Sequence, residues 1–152
     1  MTFYQMDSSA IVKIYVNEAG SAWVKSLCTA SSNIISIIRI TMVEVASALA
    51  RKHRAGEITE HERNRALAWF LYDCRNQYQV VEVDSQVVNI AIQLTQRYSL
   101  RGYDAVQLAT AIRINRALVA NHLSPLVFVS ADGQLCSAAV MEGLITEEPN
   151  QH

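Results

Sequence analysis

The feature that most constrains the fold of this chain is an apolar helical stretch that follows Asp104. Between Ala105 and Ile114 the residues are apolar at all but three positions, which are Gln107, Thr110 and Arg113. A helix that is apolar on nearly every face belongs in the interior of a domain. An ionised carboxylate at the start of such a helix raises the free energy of the folded state unless other groups compensate for its burial. The compensating groups must therefore come from elsewhere in the chain.

Short apolar runs rich in β-branched residues alternate with helical patterns along the 152 residues. The strand candidates are Phe3–Met6, Ile34–Ile38, Tyr78–Val83, Leu126–Ser130 and Leu144–Thr146. Because parallel strands need long crossover connections, this alternation predicts an α/β fold, a three-layer α/β/α sandwich around a mainly parallel sheet of four to five strands. We expect a single domain over residues 1–147, followed by a polar tail at residues 148–152.

The composition argues against several classes of protein. The formal net charge of −1 gives no global reason to bind nucleic acid, so a polyanion must be held by a local basic patch or through metal ions. The three cysteines are widely spaced, with no histidine at ligand spacing, which argues against a disulfide framework or a zinc site. No apolar run approaches the roughly 20 residues that span a bilayer, and no secretory leader pattern is present, so we expect a cytoplasmic protein without membrane contact. The sequence contains no Gly-rich phosphate loop.

A basic-tipped helical hairpin is predicted between Arg39 and Arg75. Thr41 is expected to cap its first helix, and the Thr-x-x-Glu spacing to Glu44 matches a capping box. Its second helix begins at Thr59. The basic residues at the tip are Arg51, Lys52 and Arg54. Such a cluster is either a solvated helix end or a contact for phosphate groups, and both interpretations are open.

Four acidic residues occupy equivalent places in the predicted scheme. Asp7 follows the first strand and Asp132 follows the fourth, whereas Glu44 and Asp104 lie at the starts of helices. In an open parallel sheet, the carboxyl ends of the strands share one edge with the amino ends of the helices that follow, and ligands bind in the crevice there. The scheme therefore predicts that the four acids converge at this edge.

Taken singly, each of these acids is well explained as a helix cap. Taken together, the carboxylates repel one another, by about 4 kcal/mol for a pair roughly 4 Å apart at an effective dielectric constant near 20. Either protonation or a bound cation relieves this repulsion. An all-oxygen set without histidine or cysteine suits Mg²⁺ or Mn²⁺. Such ions can bind a phosphodiester and activate water for its hydrolysis.

Four motifs distributed over nearly the whole chain resemble those of a known family. They are Asp7-Ser8-Ser9 after the first strand, Thr41-x-x-Glu44, Leu100-Arg-x-Tyr-Asp104-Ala-x-x-Leu-Ala and Phe-Val-Ser130-Ala-Asp132. With these motifs the chain resembles PIN-domain proteins, and among them the VapC toxins of bacterial and archaeal toxin–antitoxin pairs. The third motif is highly specific, whereas the other three are short.

The resemblance implies an endoribonuclease that uses one or two Mg²⁺ or Mn²⁺ ions. The implied catalytic and metal-binding residues are Asp7, Glu44, Asp104 and Asp132, with Ser9, Thr41 and Ser130 in support. The resemblance also implies a homodimer that a small antitoxin holds inactive by wrapping the toxin near its helical hairpin. The residues expected to contact RNA or the antitoxin are Arg51, Lys52, Arg54 and Arg101. Some relatives carry a further acid where this chain has Gln134–Cys136, which leaves the number of ions open.

Two other functions are compatible with the same residues. One is a PIN nuclease that processes RNA or cleaves flap-like DNA without acting as a toxin. The other is a catalytically silent PIN-like module that binds RNA or a protein. Retention of all four acids favours an enzyme, and the compact chain without an additional nucleic-acid-binding domain favours a toxin.

Overall fold

Five parallel strands form the central sheet of the computed structural model, which describes every residue from Met1 to His152. The strands are β1 (Thr2–Met6), β2 (Asn33–Ile38), β3 (Gln79–Val81), β4 (Val127–Val129) and β5 (Ile145–Glu147). They lie in the order β3-β2-β1-β4-β5, and every neighbouring pair is parallel. The expected sheet of four to five mainly parallel strands is confirmed.

Helices cover both faces of this sheet. They are α1 (Ser8–Ile11), α2 (Ser21–Thr29), α3 (Thr41–Arg54), α4 (Glu60–Asn76), α5 (Ser85–Arg97), α6 (Gly102–Ala120) and α7 (Gly133–Met141). Helices α1 to α4 pack into one hydrophobic core, and α5 to α7 pack into another. Because successive side chains of a strand point to opposite faces, Val129 belongs to the first core and its neighbour Phe128 to the second. The three-layer α/β/α architecture is therefore confirmed.

No helix is both long enough and apolar enough to cross a membrane.

Strand β1 lies where the direction of strand addition reverses. The chain adds β2 and β3 on one side of β1, and then returns to place β4 and β5 on the other side. In open α/β sheets, a ligand crevice forms at the carboxyl ends of the strands beside such a switch point. Asp7 directly follows β1 and Ser130 directly follows β4, so both residues lie at this crevice.

The capping box predicted at Thr41 and Glu44 is wrong. Thr41 is the first residue of α3 rather than its cap, and no side chain caps this helix. The Thr41 hydroxyl instead accepts a hydrogen bond from Gln107 on α6, so a tertiary contact takes the place of the local one. The capping box of the hairpin is found at the start of α4, where the side chains of Thr59 and Glu62 each accept a hydrogen bond from the other's backbone N–H.

Asp104 lies further inside its helix than predicted. Helix α6 begins at Gly102, and Asp104 is in its first turn without capping it. The apolar pattern placed the start too late because Gly102 and Tyr103 are exposed and therefore leave no hydrophobic signal. Asp7 and Asp132 do cap helices, α1 and α7 respectively.

The last residues of the chain pack against the start of α2. Pro149 is buried in a short 3-10 turn, and the ring of His152 stacks on Trp23 with the ring centroids 4.0 Å apart. Gly20, which precedes α2, has a left-handed φ of +82°, and a Cβ placed there would lie 2.4 Å from the carbonyl oxygen of Pro149. Gly20 is thus required both by its backbone conformation and by this close approach.

We predict that Gly20→Ala destabilises the fold more than Gly56→Ala does. Both glycines have left-handed φ values, but nothing lies within 4 Å of a Cβ at Gly56. The matched substitution at Gly56 should cost about 1 kcal/mol for the backbone conformation alone. Substitution at Gly20 should cost about 2 to 4 kcal/mol, because it also displaces the backbone of Pro149. Chemical denaturation of the two variants measures the difference, and equal losses would contradict the prediction.

Candidate active site

A cavity of about 740 Å³ lies at the carboxyl edge of the sheet, and all four acids selected from the sequence line it. Asp7 follows β1, and Glu44 lies in the first turn of α3. Asp104 lies in the first turn of α6, and Asp132 caps α7. Four separate segments of the chain therefore bring carboxylates to one cavity, as the topology of a parallel sheet predicts.

Asp7 is buried and held from several directions. Its Oδ1 accepts hydrogen bonds from Ser9 Oγ at 2.6 Å and from the Ala10 backbone N–H at 3.1 Å. Its Oδ2 accepts a hydrogen bond from Ser130 Oγ at 2.6 Å. Its backbone N–H donates to the carbonyl of Val129 on the neighbouring strand, at 3.2 Å. The first three bonds fix the orientation of the carboxylate, and the fourth fixes the backbone that carries it.

Ser9 and Ser130, expected to support the site, connect Asp7 to the loop that carries Asp132. Each serine hydroxyl donates to Asp7 and accepts from a backbone N–H. Ser9 Oγ accepts from Ala131 at 2.8 Å, and Ser130 Oγ accepts from Asp132 at 3.0 Å. Because both the donating and the accepting capacity of the hydroxyls is used, the ends of β1 and β4 are tied together at the cavity.

Gln107 is a site residue that sequence reasoning missed. It is buried on α6, and its Nε2 donates to Thr41 Oγ1 at 2.7 Å and to Glu44 Oε1 at 3.3 Å. Its backbone carbonyl accepts from Gln5 Nε2 at 3.0 Å. Gln107 thus holds the start of α3 against α6 and β1. The available signal was its spacing, since a polar residue three positions after Asp104 lies on the same helix face.

Asp104 is paired with the residue that precedes its helix. Arg101 Nε donates to Asp104 Oδ2 at 3.3 Å, and the same guanidinium lies 5.1 Å from the ring centroid of Tyr103. The Arg101 side chain is 69% exposed, whereas that of Asp104 is 12% exposed. Solvent therefore screens the pair, and Arg101 can leave Asp104 at little cost.

Burial raises the pKa values of three of the four carboxyls. The pKa of Asp7 rises to about 6, chiefly through burial and with a further contribution from the charge of Glu44. The pKa of Glu44 is raised by burial and by the charge of Asp104, and the pKa of Asp104 is raised by burial and by the charge of Asp132. Each acid is therefore close enough to disfavour ionisation of the next, and the four form a continuous electrostatic row.

The donor set of the cavity fits a hard divalent cation. Its lining offers carboxylate and hydroxyl oxygens and contains no histidine or cysteine, which is the chemistry that Mg²⁺ and Mn²⁺ favour. In the observed arrangement, no group of three His, Cys, Asp or Glu side chains is close enough to hold an ion. Each carboxylate is engaged by its own hydrogen-bond donors. A shared ion therefore requires the carboxylates to move closer together.

The structure separates the basic residues that the sequence grouped together. Arg51 and Arg101 line the cavity. Lys52 lies outside it, where its Nζ pairs with Glu18 at 3.0 Å and with Glu57 at 3.4 Å. Arg54 is exposed and does not line the cavity.

Comparisons with known proteins agree with this fold. A family model described as PIN domain matches residues 4–122. The protein named ribonuclease VapC45 from Mycobacterium tuberculosis is 31% identical over 121 residues, which cover 75% of this chain and 78% of that relative.

Two solved structures share the fold at low sequence identity. PAE2754 from Pyrobaculum aerophilum gives a TM-score of 0.62 at 18% identity, covering 99% of this chain and 91% of that one. VapBC2 from Rickettsia felis, solved with a DNA fragment from its promoter, gives a TM-score of 0.63 at 14% identity, covering 97% of this chain and 98% of that one. At these identities the likeness concerns the fold alone.

We predict that the protein loses stability between pH 5 and pH 7 when EDTA removes divalent ions. The pKa of Asp7 in the folded state, about 6, lies above its ordinary value of 3.8, so the folded state binds this proton more tightly than the unfolded chain. Stability is therefore lost as the pH rises and the proton dissociates. For Asp7 alone the loss is about 1 kcal/mol over this range.

Urea unfolding of the wild-type protein and of Asp7→Asn at both pH values measures this contribution. Carboxyls with lowered pKa values, such as Glu18 and Asp84, are already ionised above pH 5 and contribute little to the difference. The loss of unfolding free energy between pH 5 and pH 7 should be smaller in Asp7→Asn by about 1 kcal/mol. An identical dependence in the two proteins would show that Asp7 is not the group that titrates.

Proposed function

The chain belongs to the PIN domain family, and from this membership we propose that it is a divalent-metal-dependent endoribonuclease of the VapC type. In this proposal it hydrolyses RNA phosphodiester bonds as the toxin of a toxin–antitoxin pair. The observation that carries the proposal is the convergence of Asp7, Glu44, Asp104 and Asp132 on one cavity at the switch point of the sheet. The named ribonuclease relative supports nuclease activity in general.

The four acids would have different roles in the reaction, according to their surroundings. Asp7 and Asp104 are the most buried of the four and are proposed as the direct ligands of a Mg²⁺ or Mn²⁺ ion. Glu44, held by Ser8 Oγ at 3.3 Å and by Gln107, would orient the attacking water. Asp132 lies at the end of the row next to Asp104 and would complete the site if a second ion binds.

A divalent ion bound here would polarise the phosphodiester and lower the pKa of a water molecule that attacks the phosphorus. The protein contributes the position of the groups around that centre. Ser9 and Ser130 keep Asp7 in one orientation, and Gln107 keeps Glu44 facing the cavity. Because these bonds exist in the folded state, little reorganisation of Asp7 is needed when substrate binds.

The proposed partners are RNA, a second copy of the chain and a small antitoxin. A fold neighbour carries the name VapBC2, which supports a partner of the antitoxin type for this chain. The α3–α4 hairpin, which borders the cavity through the first three turns of α3, is the proposed region of antitoxin contact. An antitoxin bound there would restrict access of RNA to the acids.

We predict that the purified protein cleaves single-stranded RNA with Mg²⁺ or Mn²⁺ and that EDTA abolishes the cleavage. Asp104→Asn should lower the rate at least about 100-fold, because a metal ligand contributes several kcal/mol to transition-state stabilisation. Asp84→Asn, which removes an aspartate at the start of α5 outside the cavity, is the matched control and should cleave at the wild-type rate. Cleavage is followed on a labelled RNA by gel electrophoresis.

Thermal unfolding should accompany this assay, since Asp104→Asn removes one charge from the acidic row and is expected to fold at least as stably as the wild type. A folded Asp104→Asn protein with full metal-dependent activity would exclude the proposed site. Failure of the protein to bind Mn²⁺ at millimolar concentration would favour the silent binding module.

Growth measurements test the toxin role separately. Expression of the chain alone should arrest growth of a bacterial host, and Asp7→Asn should abolish the arrest while the protein still accumulates. Co-expression of the small gene adjacent to its coding sequence should restore growth. RNA cleavage in vitro without growth arrest would instead indicate a nuclease of RNA processing.

A further inference from the structure

Arg51 is a cation in the acid-lined cavity that no carboxylate neutralises. It lines the cavity together with the four acids, yet it forms no ion pair, and its only side-chain hydrogen bond is a 2.9 Å donation to Ser47 Oγ on the preceding turn. Arg101, the other cation of the cavity, is paired with Asp104. Arg51 therefore keeps most of its donors free while facing the same space as the acids.

Helix α3 sets the distance between Arg51 and the acids. Glu44, Ser47, Ala48 and Arg51 all line the cavity, so they form one continuous face of the helix. The backbone of Arg51 lies seven residues after that of Glu44, which corresponds to two helical turns and about 10 Å along the axis. The Arg51 guanidinium reaches back one turn, to Ser47. A group held by Arg51 is thus displaced from the reacting centre.

The groove also continues beyond the acids in the opposite direction. A second cavity of about 310 Å³ shares Arg101, Asp104 and Asp132 with the first, and extends to Ser99 and Gln134. A strand can therefore run along α3, pass the acids and leave over the start of α7. Arg51 lies at one end of this path.

Building on the proposed nuclease function, we propose that Arg51 is a binding subsite for a flanking phosphodiester of the RNA strand. An arginine presents a planar fork of donors that matches phosphate oxygens, and its charge offsets the repulsion between the acidic row and an incoming polyanion. The neighbouring basic residues are not equivalent: Lys52 is occupied by Glu18 and Glu57, and Arg54 lies outside the cavity. Arg51 is thus a positioning residue that acts on substrate binding.

Steady-state cleavage of a short single-stranded RNA tests this subsite in the Mg²⁺-loaded protein. Arg51→Ala should raise KM about threefold to tenfold while kcat stays unchanged, because a flanking contact binds substrate and transition state equally. Arg51→Lys should recover part of the loss through its charge. Arg54→Ala removes an exposed arginine from the same helix end, and should change KM less than about twofold. Circular dichroism confirms folding, which is expected since the only side-chain hydrogen bond of Arg51 is the one to Ser47.

A scan of neutral methylphosphonate linkages locates the phosphate. Neutralising one linkage, on one side of the cut, should abolish the difference in KM between the wild type and Arg51→Ala. Neutralising any other linkage should leave that difference unchanged. The salt dependence of KM should also weaken in Arg51→Ala, by about 0.7 in the slope of log KM against log salt concentration.

Three results would overturn the subsite. Equal KM changes in Arg51→Ala and Arg54→Ala would indicate general electrostatics, and a fall in kcat at constant KM would place Arg51 in the reaction itself. Unchanged kinetics with lost binding of the co-expressed antitoxin would assign Arg51 to a protein contact. The absence of cleavage by the wild-type protein would instead refute the nuclease function on which the subsite rests.

Discussion

The burial of Asp7 at the switch point of the sheet is the constraint around which the site is built. The carboxylate of a residue with only 5% of its surface exposed is costly to ionise, and the structure offsets this cost with hydrogen bonds from Ser9, Ser130 and Ala10. The same two serines accept backbone N–H groups from the loop after β4. The groups that stabilise Asp7 therefore also position Asp132, and the ends of β1 and β4 are held together.

The acidic row opposes folding and, in the proposed function, provides the ligands of a cation. Asp7, Glu44 and Asp104 all have raised pKa values because burial and the neighbouring acid disfavour ionisation. Arg101 offsets part of this charge from an exposed position, where it can be displaced. Such an arrangement sacrifices some stability for function, and the buried amide of Gln107 limits the loss by donating to Glu44.

Much of the fold and the outline of the site could be predicted from local sequence patterns. Alternating strands and helices identified the parallel three-layer architecture, and acids at the ends of strands and the starts of helices indicated a shared edge. The helix start at Gly102 was placed too late because exposed residues carry no periodic signal. The predicted capping box at Thr41 is wrong because the hydroxyl of Thr41 accepts a hydrogen bond from Gln107, 66 positions away in the chain.

The sequence by itself determined the alternation of strands and helices along the chain, the burial of the helix that carries Asp104 and the acids that lie at the carboxyl edge, because these follow from periodicity and strand direction. Only the tertiary structure decided which polar groups contact each other. It placed Gln107 against Glu44, left Asp104 paired with Arg101, and separated Arg51 from Lys52 although the two are adjacent in the chain. The physical reason is that hydrogen bonds and ion pairs act over about 3 Å, whereas sequence patterns report only which face of an element a residue occupies.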